Sequence, residues 1–237
     1  IHKYAGRALL VATGSCAVHC RYCFRRHFPY AEESAAAAGW REALAVVRGD
    51  DALHEVILSG GDPLSLATPK LAELTDALAG IPHVRRLRIH TRLPVVLPER
   101  VDAELGAWLR ALPWPTVVVI HANHANEFDA AVDAALARLR TAGATVLNQA
   151  VLLRGVNDDA ESLGALMRAF VEARVKPYYL HQGDLAPGTS QFRVPIGRGR
   201  EILRQLRGRW SGLCQPEYVL DIPGGHGKAP IGPDYLE

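Results

Sequence analysis

Apolar, β-rich runs recur along the chain at 8–12, 55–58, 87–89, 116–121, 145–153, 176–181 and 218–222. Between most of them the apolar positions change to the three-and-four spacing of an amphipathic helix, at 40–47, 70–79, 100–112, 128–142, 161–173 and 200–207. "FDAAVDAALARLRTAG" is a clear instance: it is rich in alanine, its apolar positions keep helical spacing, and Gly143 is placed to stop it. Strands alternating with helices predict a parallel sheet with right-handed crossovers. Six or seven such units predict an α/β fold, a full or partial (β/α) barrel, with a doubly wound open sheet as the alternative. No further repeat and no low-complexity linker divides the chain, so a single domain over 1–237 is expected. "AEESAAAAG" at 31–39 reads as a loop or a helix start.

Parallel β/α folds bind ligands beyond the C-terminal ends of their strands. The polar and glycine-rich stretches fall there. Cys16–Cys23 follows the first strand and "SGGDP" at 59–63 the second. "HTR" at 90–92 ends the third, "HANHANE" at 121–127 the fourth, and "NQ" at 148–149 lies in the fifth. "HQGD" at 181–184 ends the sixth and "DIPGGHGK" at 221–228 the last. Seven polar clusters at one end of one sheet predict an active site.

Composition narrows the class. With 237 residues and 49% hydrophobic content the chain can bury a sizeable core. A formal net charge of +2 gives no push toward nucleic acid or a membrane surface. No apolar run reaches the ~20 residues of a membrane span, and no signal peptide is visible. Four cysteines, three of them clustered, do not read as a secreted disulfide framework. A cytoplasmic metal or redox site fits better. The chain opens at Ile1 directly into motif-like sequence, so a missing N-terminal part is expected.

Cys16, Cys20 and Cys23 form C-x3-C-x2-C in a polar, arginine-flanked loop. Three thiols there are poor core material. Structural zinc would want a fourth ligand, which Cys214, His19 or His27 could supply. An iron–sulfur cluster of four irons normally takes four thiolates, so three would leave one iron open to chemistry. This loop after a first barrel strand resembles the radical S-adenosylmethionine (SAM) superfamily, in which SAM chelates the open iron of a [4Fe–4S] cluster and is cleaved to a 5′-deoxyadenosyl radical. "SGGDP" resembles that superfamily's glycine-rich motif, which meets the amino end of SAM. In "DIPGGHGKAP", glycines permit close approach of backbone to a ligand, and Lys228 there can form a Schiff base with an aldehyde cofactor. Together with "LSGGDPL", "RIHTRLPVVLPERV", "NHANE", "LNQAVLLRGVND", "PYYLHQGDL", "FRVPI" and "PGGHGKAPIGPDYL", the two motifs resemble the lysine 2,3-aminomutase family, which uses SAM and pyridoxal 5′-phosphate (PLP). "CRYCFRRHFPY" looks most like the branch that makes β-lysine for elongation factor P, and "YVLDIPGGHGK" more like the free-lysine aminomutases.

The resemblance implies a partial TIM-like barrel of the radical SAM type and an isomerase that moves the α-amino group of L-lysine to the β-carbon. It implies that Cys16, Cys20 and Cys23 bind the cluster and that Lys228 holds PLP. Tyr4 and Arg7 match the region that contacts the PLP phosphate. Ser59, Gly60, Gly61, Asp62, His121 and Gln149 match SAM-contacting positions. Arg25 matches an arginine that grips the substrate carboxylate, a task suited to a planar fork. Asp184 and Asp221 match two aspartates that bind the ε-ammonium. A buried cation must be paired, and a glutamate substrate would bring three carboxylates together. The resemblance also implies a reductant protein such as flavodoxin or ferredoxin, and a homo-oligomer. The free-lysine enzymes bind zinc between subunits through a C-terminal cysteine cluster, and "RGVNDDAES" lacks a cysteine where the partner site would be, so no zinc is expected. Cys214 is expected to be a buried thiol without a role. The competing readings are a radical SAM enzyme acting on another amino acid, a peptide or nucleic acid, an iron–sulfur electron carrier, and a zinc module.

Overall fold

Along Arg86–Thr91 every second side chain, Leu87, Ile89 and Thr91, is buried, while Arg86, Arg88 and His90 face the other way. A strand alternates like this when only one face of its sheet meets an apolar layer. The neighbouring strand Glu55–Gly60, by contrast, is buried at all six positions. The structure, a computed structural model, describes residues 4–28, 40–222, 224 and 227–235, in two compact units. The biased stretch at 31–39 lies outside the described residues.

The first unit lies within Ile1–Val18, His27–Ile120 and Ala130–Val146. It contains β1 (Arg7–Thr13), α1 (Arg41–Gly49), β2 (Glu55–Gly60), α2 (Thr68–Ala79), β3 (Arg86–Thr91), the single turn α3 (Leu93–Val96), α4 (Ala103–Ala111), β4 (Thr116–His121) and α5 (Ala130–Thr141). β1 to β4 pair in sequence order and all run parallel. The helices bury the stripes their sequences predict: Leu71, Leu74 and Leu78 on α2, Leu105 and Leu109 on α4, Leu136 and Leu139 on α5. Each such leucine contributes roughly 1.5–3 kcal/mol of burial. The periodicity placed the start of α4 at residue 100. The helix starts at Ala103 because Asp102 caps it, its carboxylate accepting from Leu105 N–H at 2.8 Å. On the polar face, Arg7, Glu55 and Arg86 are adjacent in register, and buried Glu55 pairs with Arg88 and, at 3.3 Å, with Arg86.

The second unit lies within His19–Arg26, His121–Asp129 and Leu147–Glu237. It holds the paired part of β5 (Thr145–Val151), then α6 (Ala160–Glu172), β6 (Lys176–His181), α7 (Ile196–Arg209), β7 (Glu217–Asp221) and β8 (Lys228–Pro230). β5, β6 and β7 run parallel in order, and β8 returns antiparallel to β7. The apolar pattern gave no sign of this last strand, because three residues ending in proline carry no period. α7 begins at Ile196, not at 200, because Gly199 does not break it: a side chain there would meet the Tyr218 hydroxyl, so the glycine is a packing position. Phe170 of α6 is fully buried and meets Phe128 edge-on at 5.4 Å between centroids. Among the described residues no helix is long and apolar enough to cross a membrane.

Candidate active site

In the first unit the parallel strands deliver Cys16 and the glycine-rich turn to the same edge. Gly60 ends β2 at φ 116°, where a β-carbon would lie 2.6 Å from Thr13 O. A β-carbon on Gly61 would collide with Ser15 O. The two glycines therefore bring the end of β2 against Thr13–Ser15, immediately before Cys16, and two backbone bonds fix it: Gly61 N–H to Thr13 O at 2.7 Å and Asp62 N–H to Ser15 O at 2.8 Å. Ser59 is buried one residue earlier on β2.

Asp62, matched above to a SAM-contacting position, is a brace in this structure. Its Oδ1 accepts from Leu64 N–H at 3.0 Å and Thr91 Oγ1–H at 2.6 Å, and its Oδ2 from Arg92 N–H at 2.6 Å and Leu93 N–H at 3.2 Å. Burial nevertheless pushes its carboxyl above the usual range, with those hydrogen bonds opposing. The carboxylate ties the end of β2 to the end of β3. Arg7 opens β1 at the N-terminal edge of the sheet, and Tyr4, three residues earlier, bridges to it, with the guanidinium carbon 4.3 Å from the Tyr4 ring centroid.

In the second unit the register gathers the other candidates. Gln149 is opposite Tyr179, Val151 is opposite His181, and His181 is opposite Val219. Asp221, two residues beyond Val219, is opposite Lys228 across the antiparallel β7–β8 pair. Opposite residues and alternate residues share a face, so Gln149, Tyr179, His181, Asp221 and Lys228 project from one side of this sheet. Lys228 Nζ is 3.6 Å from Asp221 Oδ2. Gly227, at φ 104°, turns the chain into β8 just before the lysine. Pro223, Gly225 and His226 lie outside the described residues.

The charges in this group act on one another. Burial raises the pKa of Asp184, the Asp221 charge raises it further, and Lys228 pulls it down. Desolvation, then the charges of Lys228 and His121, push His181 down to about 3, with Asp221 opposing. Its imidazole is therefore neutral at physiological pH. The sequence reading passed over His181 as one letter of "HQGD"; its signal was its place as the last residue of a strand. Gln182 fixes the segment that follows. Its N–H donates to Val219 O at 2.8 Å, its Nε2 donates to Val194 O at 2.7 Å, and its Oε1 accepts from the Tyr218 hydroxyl.

Three asparagines, Asn123, Asn148 and Asn157, fasten the two segments that carry His121 and Gln149. Asn157, fully buried, donates from Nδ2 to Asn123 O at 2.9 Å and Val151 O at 3.0 Å, while its Oδ1 accepts from Leu153 N–H at 2.7 Å. Asn123 Oδ1 accepts from Val151 N–H at 2.8 Å, and Asn148 Oδ1 from Ala122 N–H at 3.1 Å. Glu127 Oε1 accepts from Asn123 N–H at 2.6 Å and His124 N–H at 3.0 Å. "NHANE" and "GVND" are thus fastenings between the loop after β4 and the end of β5.

All four cysteines are free thiols. Cys16 is exposed, Cys20 and Cys23 are half-buried, and a turn joins the latter two through Cys23 N–H to Cys20 O at 3.1 Å. Among the described residues no three His, Cys, Asp or Glu side chains are gathered as a metal site. Cys16 belongs to the first unit, and Cys20 and Cys23 belong to the second. Arg25, two residues past Cys23, is half-buried with its guanidinium carbon 5.0 Å from the Phe24 ring centroid. Arg21 lies over Phe192 at 5.2 Å, and Arg26 donates to Arg21 O at 3.2 Å, so this half of the loop has its own packing. Cys214 is buried, and desolvation raises its thiol pKa, as suits an inert thiol.

No family model matches the chain. Curated relatives do. The chain is 46% identical over 231 residues to the L-lysine 2,3-aminomutase of Escherichia coli, covering 98% of itself and 68% of that protein. It is 43% identical over 228 residues to the Haemophilus influenzae protein of the same name, again covering 68% of it. Against the Clostridium subterminale L-lysine 2,3-aminomutase it is 40% identical over 236 residues and spans 56% of that longer chain. Among solved structures, a radical SAM methyltransferase from Sphaerobacter thermophilus matches 92% of the chain and is itself 68% covered, with a TM-score of 0.57 at 18% identity. A coproporphyrinogen III oxidase from Escherichia coli, a radical SAM enzyme, matches 86% of the chain and is 52% covered, at 0.58 and 12%. At these identities the structural likeness is one of fold alone, and that fold is the α/β partial barrel.

Proposed function

The chain belongs to the L-lysine 2,3-aminomutase family, and from that premise we propose that it converts L-lysine to β-lysine with a [4Fe–4S] cluster, SAM and PLP. The observation that carries the reading is Lys228 Nζ at 3.6 Å from Asp221 Oδ2, a reactive amine beside a carboxylate, with both charges reaching Asp184.

The residues fit these groups. Lys228 is a half-buried primary amine after a left-handed glycine, which suits condensation with an aldehyde. Cys16, Cys20 and Cys23 would hold the cluster. The Ser59–Asp62 turn, pressed against the residues before Cys16, would meet SAM, with its glycines giving backbone access and Asp62 keeping the turn rigid. Tyr4 and Arg7 would serve the PLP phosphate, and His121 and Gln149 would serve SAM. When bound, the three groups supply a 5′-deoxyadenosyl radical and a π-system that stabilises the radical on carbon.

The chain's own residues bind and orient. Arg25 grips the substrate carboxylate with a planar fork. Asp184 and Asp221 pair with the ε-ammonium, because a cation at that depth needs a counter-charge. His181, held neutral, adds no competing positive charge beside them. The Asn123–Asn157 fastening and the Gln182–Tyr218 bond keep the ends of β5, β6 and β7 in register. Reacting atoms are thereby held at short range.

The likeness of "CRYCFRRHFPY" to the elongation factor P branch supports delivery of the product to that protein, and the single electron needed for SAM cleavage calls for a reductant protein such as a flavodoxin or ferredoxin. The test is anaerobic reconstitution with iron, sulfide, SAM and PLP, followed by product analysis with L-lysine. β-Lysine is expected. 5′-Deoxyadenosine without β-lysine would point to another radical SAM reaction, and neither product would overturn the reading.

A further inference from the structure

Lys228 and Asp221 are paired residues of one antiparallel ladder, and their side chains are 29% and 34% exposed. Nζ stands 3.6 Å from Oδ2, and its charge also acts on Asp184. Asp221 therefore holds an ammonium that belongs to the chain itself, and the charge of that ammonium reaches Asp184. The function proposed above assigns the same two carboxylates to the ammonium of a lysine substrate. The two cations are the same chemical group on the same four-carbon stem.

We propose that Lys228 is the resident occupant of the substrate's ammonium site while the chain lacks its aldehyde cofactor, and that loading the cofactor opens that site. The proposal rests on reading Asp184 and Asp221 as ligands of the substrate ammonium. The loading step balances. Nζ gives its ammonium proton to solvent, its lone pair attacks the aldehyde carbon, and the carbonyl oxygen leaves as water with the two remaining N–H hydrogens as the N=C bond forms. Nζ then offers no ammonium to Asp221. Asp184, whose ionised form burial and Asp221 both oppose, loses the cation that favoured it. The substrate's ε-ammonium restores that balance. His181 cannot do so, because the same surroundings keep its imidazole neutral. The consequence is an order of assembly: cofactor first, lysine second.

An internal competitor weakens a ligand by the fraction of time the site is free, so a lysine seated there nine-tenths of the time costs about tenfold in apparent affinity. The probe is n-butylammonium, the lysine side chain alone, titrated calorimetrically into the full-length protein with its cluster reconstituted and no PLP. Lys228→Ala should bind it about tenfold more tightly than wild type, and adding Asp221→Asn should abolish that binding. Lys228→Ser serves as a second vacated variant against a packing defect in the first. Equal affinity for wild type and both vacated variants overturns the exchange while leaving the carboxylates a cation site. If none of them binds, L-lysine is titrated without reductant into PLP-loaded wild type and Asp221→Asn. Uptake lost in Asp221→Asn then overturns the exchange but keeps the substrate reading, and uptake indifferent to Asp221 overturns both.

Discussion

Lys228 Nζ lies 3.6 Å from Asp221 Oδ2, the two residues facing each other across β7 and β8. Seven positions apart in sequence, they meet because the tail reverses through a glycine turn and pairs antiparallel. A nucleophilic amine beside a carboxylate is held ready but protonated, so its reaction with an aldehyde requires that the proton be given up.

Borohydride reduction of the PLP-loaded protein should fix the cofactor on Lys228. Peptide mapping checks it: the label is expected on the peptide carrying Lys228, and a label on Lys70 or Lys176 would remove Lys228 from its role.

Asp184→Asn should raise KM for lysine by roughly tenfold to a hundredfold, the loss expected for a charge-assisted contact, while the cluster and bound PLP remain. The pH dependence has a definite sign. The pKa of Asp184 is raised above the ordinary 3.8, and the ionised form is the one that holds an ammonium. Lysine affinity should therefore fall with decreasing pH before an ordinary carboxylate would protonate. Measuring KM against pH in wild type and Asp184→Asn checks this: the acid rise should be shallower in the variant.

Cys20→Ala should lose the iron–sulfur chromophore and all SAM cleavage, whereas Cys214→Ala should keep both. Cys214 is buried in the second unit with its thiol pKa raised, so its loss should register only as a modest drop in Tm. Iron and sulfide analysis of the two variants decides it.

Much of this was legible in the sequence because it is periodic or local. Every apolar run became a strand, although the fifth stops at Val151, short of 153, and at the start of α4 the Asp102 cap outweighs the period. The cysteine spacing and the glycine-rich turns were legible because they need particular residue types. What could not be read was anything set by register. The shared face of His181, Asp221 and Lys228 exists only once β6, β7 and β8 are paired. The bracing role of Asp62 depends on residues about 30 positions away, Thr91 and Arg92, as its 29- and 30-residue separations from them show.

Asn157→Ala should destabilise the protein by about 2–4 kcal/mol, since it strips partners from three backbone groups at a buried site. Because those bonds fasten the loop after β4 to the end of β5, SAM affinity should fall as well. Denaturant unfolding together with SAM titration checks it; a variant with normal stability and normal SAM binding would remove the fastening from the account.

The central claim is that one chain moves an amino group between neighbouring carbons of lysine. The most direct measurement feeds L-lysine labelled with nitrogen-15 at the α-amino group to the anaerobically reconstituted protein and locates the label in the product by NMR. The account predicts β-lysine with the label on the β-carbon and SAM not consumed in proportion to product. Label lost as ammonia, lysine returned unchanged while 5′-deoxyadenosine accumulates, or faster conversion of glutamate than of lysine would contradict it.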